Sequence, residues 1–162
     1  MDAEARRLID MLALERHPEG GFYREVFRSP LTLMGLPHGA PRQAHTAIYY
    51  LLPAGIFSPI HRIKSDEVWH HYEGDPVELH LLDEWEHNVV MLGHNWEKGE
   101  RPQVCIPAGT WQAATVQGSK FALVGCTVAP GFEFDDLEIH SQANMLQRFP
   151  QHSEVIKRLT HI

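Results

Sequence analysis

Between Phe22 and Val128 the chain does not keep a helical period; short runs of β-branched and aromatic residues alternate with turns built on Gly, Pro, Asn and Asp. That grammar, more than any other feature, limits the fold to an all-β sandwich or barrel. Strands are predicted at 22–28, 45–52, 56–63, 67–73, 77–83, 89–92, 103–106, 110–116 and 120–128. These nine segments suit a plan of about eight strands with one extension at an edge. The stretches Pro53-Ala54-Gly55, Gly74-Asp75-Pro76, Pro107-Ala108-Gly109, Gln117-Gly118-Ser119 and Pro130-Gly131 supply turn residues with fixed or permissive φ.

Helical signals lie outside this region. Leu8, Met11 and Leu12 recur at helical spacing within 3–14; Asp2 is placed to cap the start, and His17-Pro18 followed by Gly20-Gly21 reads as the stop. Segment 30–42, with three prolines and two glycines, reads as an exposed loop over one end of the sandwich. Two short helices are expected at 141–149 and 153–159, with Ser153 as an N-cap and Pro150 as the break. A length of 162 residues fits one domain, 1–162, and 43% hydrophobic with 22% charged residues is ordinary globular composition. No apolar run reaches the ~18 residues of a membrane span, and the start lacks the charged-then-apolar order of a signal peptide. A cytoplasmic protein with no membrane partner is the expectation.

A net charge of −7 supplies no cationic excess to displace counterions, which argues against nucleic acid as a partner. Cys105 and Cys126 are too few for a disulfide framework and are expected as reduced core residues. The 12 histidines invite a metal hypothesis, and their placement decides it. His38, His87, His94, His140, His152 and His161 fall in predicted loops or near the C-terminus, where solvent exposure is the default. The adjacent His70 and His71 would face opposite sides of a strand and so cannot grip one ion together.

The most informative stretch runs from Gly55 through His61 and Glu67 to Gly74, followed by Pro107-Ala108-Gly109-Thr110-Trp111-Gln112. It resembles the two motifs of the cupin superfamily in spacing: Gly55, His61, Glu67 and Gly74 keep the first, and Pro107 and Gly109 the second. Ile63 and Gln112 stand where that resemblance would place two further histidines. With His17-Pro18-Glu19-Gly20-Gly21-Phe22-Tyr23-Arg24-Glu25 and Val128-Ala129-Pro130-Gly131-Phe132, the chain is similar to the cupin_5 (DUF985) family over most of its length. The resemblance implies a cupin double-stranded β-helix, a jelly-roll barrel like that of dTDP-sugar 3,5-epimerases, here with an N-terminal helix and short C-terminal helices. It also implies a homodimer, and it brings no established reaction.

Period-two alternation places His61 with Ile63 on one face, Glu67 with Trp69, His71 and Glu73, and Gln112 with Ala114 and Val116. A cavity lined by His61, Glu67, Trp69, His71 and Gln112, with Lys64 at the intervening hairpin, has the character of a small-molecule pocket. His61 and Glu67 are the expected catalytic pair, since a histidine held in one tautomer beside a carboxylate serves as a base near neutral pH, while Lys64 or Gln112 would stabilise an oxyanion. Arg24 is placed to meet a ligand carboxylate or phosphate, Trp111 to fill core volume, and Asp135-Asp136 to make a turn. The expected function is binding of a small polar metabolite, a sugar or sugar nucleotide, with metal-independent acid–base chemistry of the epimerase or isomerase kind. No cofactor is required by that reading. A metal-dependent oxygenase or isomerase using a divalent ion in an atypical ligand set is the first alternative, because oxygen ligands suit harder ions. A ligand-sensing module without catalysis is the second.

Overall fold

The structure, a computed structural model, describes residues 1–161. Asp2 caps the first helix, α1 (Ala3–Met11), its Oδ1 accepting from the Glu4 and Ala5 amides. The helix ends before the predicted stop. Ala13 takes a left-handed conformation (φ 50) and the Leu14 amide reaches back to the Ile9 carbonyl (2.9 Å), closing the terminus without glycine.

Thirteen strands follow: β1 (Glu15–Arg16), β2 (Phe22–Arg28), β3 (Thr32–Leu33), β4 (Arg42–Gln43), β5 (Thr46–Pro53), β6 (Phe57–Arg62), β7 (Asp66–Gly74), β8 (Val77–Leu82), β9 (His87–Leu92), β10 (Gln103–Ile106), β11 (Trp111–Val116), β12 (Phe121–Ala129) and β13 (Glu138–Ile139). All nine predicted strands are present within two residues at either end. The four additional ones are two-residue strands, too short to carry an alternation pattern. An antiparallel sheet in the order β1-β2-β5-β12-β7-β10 faces a second in the order β13-β6-β11-β8-β9, giving the expected jelly roll.

Alternation sorts the side chains into three apolar layers. Tyr50, Leu52, Trp69, Leu79, Ala114, Val124 and Cys126 pack between the sheets. Leu51, Phe121 and Leu123, on the opposite face of β5 and β12, receive Ala5 and Leu8 of α1. Ile60, Trp111 and Ala113, on the outer face of the second sheet, receive Met145 of α2 (Gln142–Arg148) and Ile156 and Leu159 of α3 (Ser153–Leu159). Trp111 thus fills core volume as expected. Ser153 lies within α3 rather than capping it; His152 occupies the cap position, and a 3-10 turn from Pro150 joins the two helices.

The predicted loop 30–42 is pinned at one end of the barrel. Buried Arg42 makes a two-pronged ion pair with buried Asp136 (both 2.7 Å), and the His38 ring bonds to Ser65 (2.8 Å). His38 and His152 are therefore buried, contrary to the solvent exposure expected of them; His152 donates to the Asp83 carbonyl (2.9 Å). Cys126 is buried as expected, but Cys105 is exposed, because β10 is the edge strand of its sheet and Cys105 points away from the interior. No helix among the described residues is long and apolar enough to cross a membrane.

Candidate functional site

One open end of the barrel leads into a cavity of about 450 Å³. Its inner wall comes from β5, β6, β7, β12 and the 17–21 loop, and its mouth from β2 and the segment around Phe132–Leu137. Of the predicted site residues, His61, Glu67, Trp69 and Arg24 line it.

His61 owes its orientation to an irregularity in β6. Opposite β11 the register shifts, with Gln112 facing His61 but Ala114 facing Ser58, so β6 carries an extra residue there. Both Ser58 and His61 consequently point inward, and the His61 Nδ1–H donates to the Pro59 carbonyl (2.7 Å). A carbonyl can only accept, so in the neutral ring Nε2 carries the lone pair.

Gln112 lies one layer behind the cavity. Its amide nitrogen donates to Glu67 Oε2 (2.7 Å), and its oxygen accepts from the Trp69 indole N–H (3.1 Å). These partners fix the amide orientation, because an indole only donates and a carboxylate accepts. Glu67 and Trp69 are held in place by it, and Gln112 itself does not line the cavity. On the other side of Glu67, burial pushes the Cys126 thiol well above its usual range, with the Glu67 charge adding to the effect.

Two predicted residues are elsewhere. His71 keeps the inward phase of β7, but its Nε2 donates to the Asp75 carbonyl (2.9 Å) and its ring meets His94 at 5.0 Å, away from the cavity. Lys64 is half exposed and turns to the pinned loop, donating to the His38 carbonyl (3.3 Å), 3.8 Å from Asp136. Nor does Glu73 share the inward face: the register of β7 against β12 shifts between Glu73 and His71, ending the alternation.

The 17–21 loop contributes groups that the sequence presents only as helix punctuation. His17 and Glu19 both line the cavity. The Glu19 amide donates to His17 Nδ1 (3.1 Å), leaving Nε2 as the protonated nitrogen of the neutral ring. Burial, then the neighbouring His61, lowers the His17 pKa to about 4, so it is neutral at physiological pH. Burial raises the Glu19 carboxyl above its ordinary value; His61 opposes this and Glu67 adds to it. Glu19 Oε1 is buried with no partner among the described residues. Gly20 (φ 120) and Gly21 (φ 76) turn the chain so tightly that a Cβ would lie 2.9 Å from the Phe57 carbonyl oxygen at the first and 2.7 Å from that of Leu51 at the second. The Tyr50 hydroxyl ties the loop down by donating to the Gly20 carbonyl (2.9 Å). The discoverable signal was an ionisable pair held in a turn that only glycine could close.

The metal that the cupin resemblance brings to mind does not fit these donors. Ile63 puts an apolar side chain into the cavity, Gln112 has its oxygen engaged by Trp69, and no group of three or more His, Cys, Asp or Glu among the described residues is arranged to hold an ion.

The family profile described as Cupin superfamily (DUF985) matches residues 6–140. A hypothetical protein from Leishmania major of known structure superposes with a TM-score of 0.92 at 34% identity, covering 98% of this chain and 99% of that one. An uncharacterised protein of Saccharomyces cerevisiae is 26% identical over 145 residues, 81% of this chain and 72% of its own. Oxalate decarboxylase from Bacillus subtilis shares the fold alone, with a TM-score of 0.57 at 16% identity over 89% of this chain and 36% of that one.

Proposed function

We infer the function from membership and from the cavity together: the chain belongs to the DUF985 family of the cupin superfamily, and we propose that it binds a small polar carbonyl metabolite in the barrel and shifts a proton on the carbon beside the carbonyl, in the manner of an epimerase or isomerase. The observation that carries this is the pairing in one cavity of His61, its Nε2 free to accept, with Glu19, a carboxyl that burial holds toward its protonated form.

In this reading His61 Nε2 takes the proton from the α-carbon. The electron pair moves onto the carbonyl oxygen, which receives a hydrogen bond or proton from Glu19, with the neutral His17 Nε2–H as a second donor. Return of a proton to carbon on either face, or to the neighbouring carbon, completes epimerisation or isomerisation. Glu67, anchored by Gln112 in the same cavity, supports the imidazolium formed. The oxyanion role expected of Lys64 and Gln112 passes to Glu19, since those two are engaged elsewhere.

A homodimer belongs to the same proposal. From Arg24 to Arg28, β2 pairs with β5 alone, and Val26 and Phe27 on it are about half exposed, which suits a strand that meets a second copy. Light scattering after gel filtration reads the mass directly.

The function is tested by incubating the protein with aldoses and ketoses in D₂O and following the α-proton signals by NMR. Protein-dependent exchange that is lost in His61→Asn is the expected result. A sugar that binds but never exchanges removes the catalytic reading and leaves a binding module.

A further inference from the structure

Acidic and basic groups are unevenly distributed around the cavity. Arg28, at the mouth, is clamped between Glu25 (2.8 Å) and Glu133 (2.8 Å), which cancel its charge. Arg24, also at the mouth, turns its guanidinium to the Leu12 carbonyl (3.1 Å). Deeper in, the ionisable groups among the described residues are Glu19, Glu67, His17, His61, Tyr50 and Cys126, two carboxyls with no lysine or arginine beside them. Of these carboxyls, Glu67 has one oxygen committed to Gln112, whereas Glu19 Oε1 has no partner and no exposure to bulk water. A buried acceptor without a donor is a standing penalty that a ligand hydroxyl or ammonium would remove.

We propose that the cavity selects ligands without net negative charge, a neutral polyhydroxy or amino-bearing carbonyl compound whose donor group bonds Glu19 Oε1, and that it rejects carboxylates and phosphates. This rests on the small-molecule reading above and narrows it, setting aside the sugar nucleotide that the sequence left open. A carboxylate or phosphate in this interior would bring its charge up against Glu67 with no fixed cation to offset it, and its charged oxygens would offer no donor to Glu19 Oε1. A hydroxyl or ammonium would find an unpartnered oxygen waiting. An α-hydroxy or α-amino carbonyl compound satisfies both halves of the site, its carbonyl oxygen accepting from the Glu19 hydroxyl and its adjacent donor meeting Oε1.

The test uses three probes of one ring and three charges, D-glucose, D-glucosamine and D-glucuronate, titrated into ¹⁵N-labelled protein. The readout is the His61 imidazole resonance, assigned by its loss in His61→Asn. Glucose or glucosamine is expected to bind at least tenfold more tightly than glucuronate, and Glu19→Gln is expected to shrink that preference by threefold or more. Glucuronate binding as tightly as the others, or a preference unchanged in Glu19→Gln, overturns the charge rule while leaving the acid–base reading standing. Correct charge order without α-proton exchange does the reverse, sustaining the rule and removing the catalysis. If none of the three perturbs His61, both fall together.

Discussion

The Gln112 amide nitrogen lies 2.7 Å from Glu67 Oε2, linking a strand of one sheet to a strand of the other across the barrel. Both side chains are buried, and the same amide also takes the Trp69 indole N–H. Gln112→Ala would leave a carboxylate oxygen and an indole donor unpaired in a closed space, a loss of about 2–4 kcal/mol. Thermal unfolding should show it. The fall in activity should exceed what the altered stability explains, because Glu67 and the Trp69 wall lose their common support.

Glu19→Gln should act in the opposite direction on stability. Burial raises the Glu19 carboxyl, so ionising it in the folded state is disfavoured. A folded pKa above the unfolded one gives stability that is full in acid and is lost as pH rises through the interval between them. The neutral amide removes that loss. The variant should therefore unfold at a higher temperature than the parent at pH 8 and differ little at pH 4. Its proton-exchange activity should fall at both, and an activity equal to the parent's would remove Glu19 from the chemistry.

The barrel was legible in the sequence because most strands keep a two-residue period and most turns carry Gly, Pro or Asp, so local and global preferences agree. His61 and Glu67 followed from the resemblance to the cupin motifs, and Trp69 from the two-residue period that starts at Glu67. What was lost depended on irregularity. The bulge that aims His61 at the Pro59 carbonyl and the register shift that turns Glu73 outward leave no mark in a two-residue period. Lys64 went elsewhere because Asp136, 72 residues on, draws it to a loop whose docking no local pattern encodes. His17 and Glu19 were in plain view, but a Gly-Gly pair after a helix reads first as punctuation. Only the fold shows that it folds the turn back into the cavity.

Gly21→Ala tests that placement. The position has φ 76, and a Cβ there would lie 2.7 Å from the Leu51 carbonyl oxygen and 3.0 Å from the Tyr50 ring. Backbone strain and the clash together should cost about 3 kcal/mol. The loop has one cheaper escape, to swing outward and take Glu19 with it. The expected signature is thus a loss of binding and exchange larger than in a comparably destabilised core variant such as Ile156→Ala, whose side chain packs in the helical layer. Equal losses in the two would show that the loop's position does not matter to the site.

A second histidine cluster, remote from the cavity, sets the response to acid. His80 is 1% exposed; its Nδ1 lies 3.0 Å from His87 Nε2, and its Nε2 faces Glu78 at 3.4 Å, Thr115 at 3.5 Å and the Arg158 guanidinium of α3 at 3.5 Å. His87 in turn meets the His152 ring at 6.4 Å. Burial, then Arg158, lowers the His80 pKa to about 4 despite Glu78, and burial lowers that of His87 as well. A histidine with a depressed folded pKa leaves the unfolded chain binding more protons between the two values, so stability is whole above pH 6.5 and falls as pH drops toward 4. Screening on the Glu78 side reduces the loss to on the order of 2 kcal/mol. Protonation sets His80 against both His87 and Arg158, so the docking of α3 should weaken before the barrel does. Hydrogen exchange at pH 5 should accelerate first in 150–161, and His80→Gln should flatten the pH dependence of unfolding between 4 and 6.5. A barrel and C-terminal helices that lose protection together would show that this cluster is not what acid loosens first.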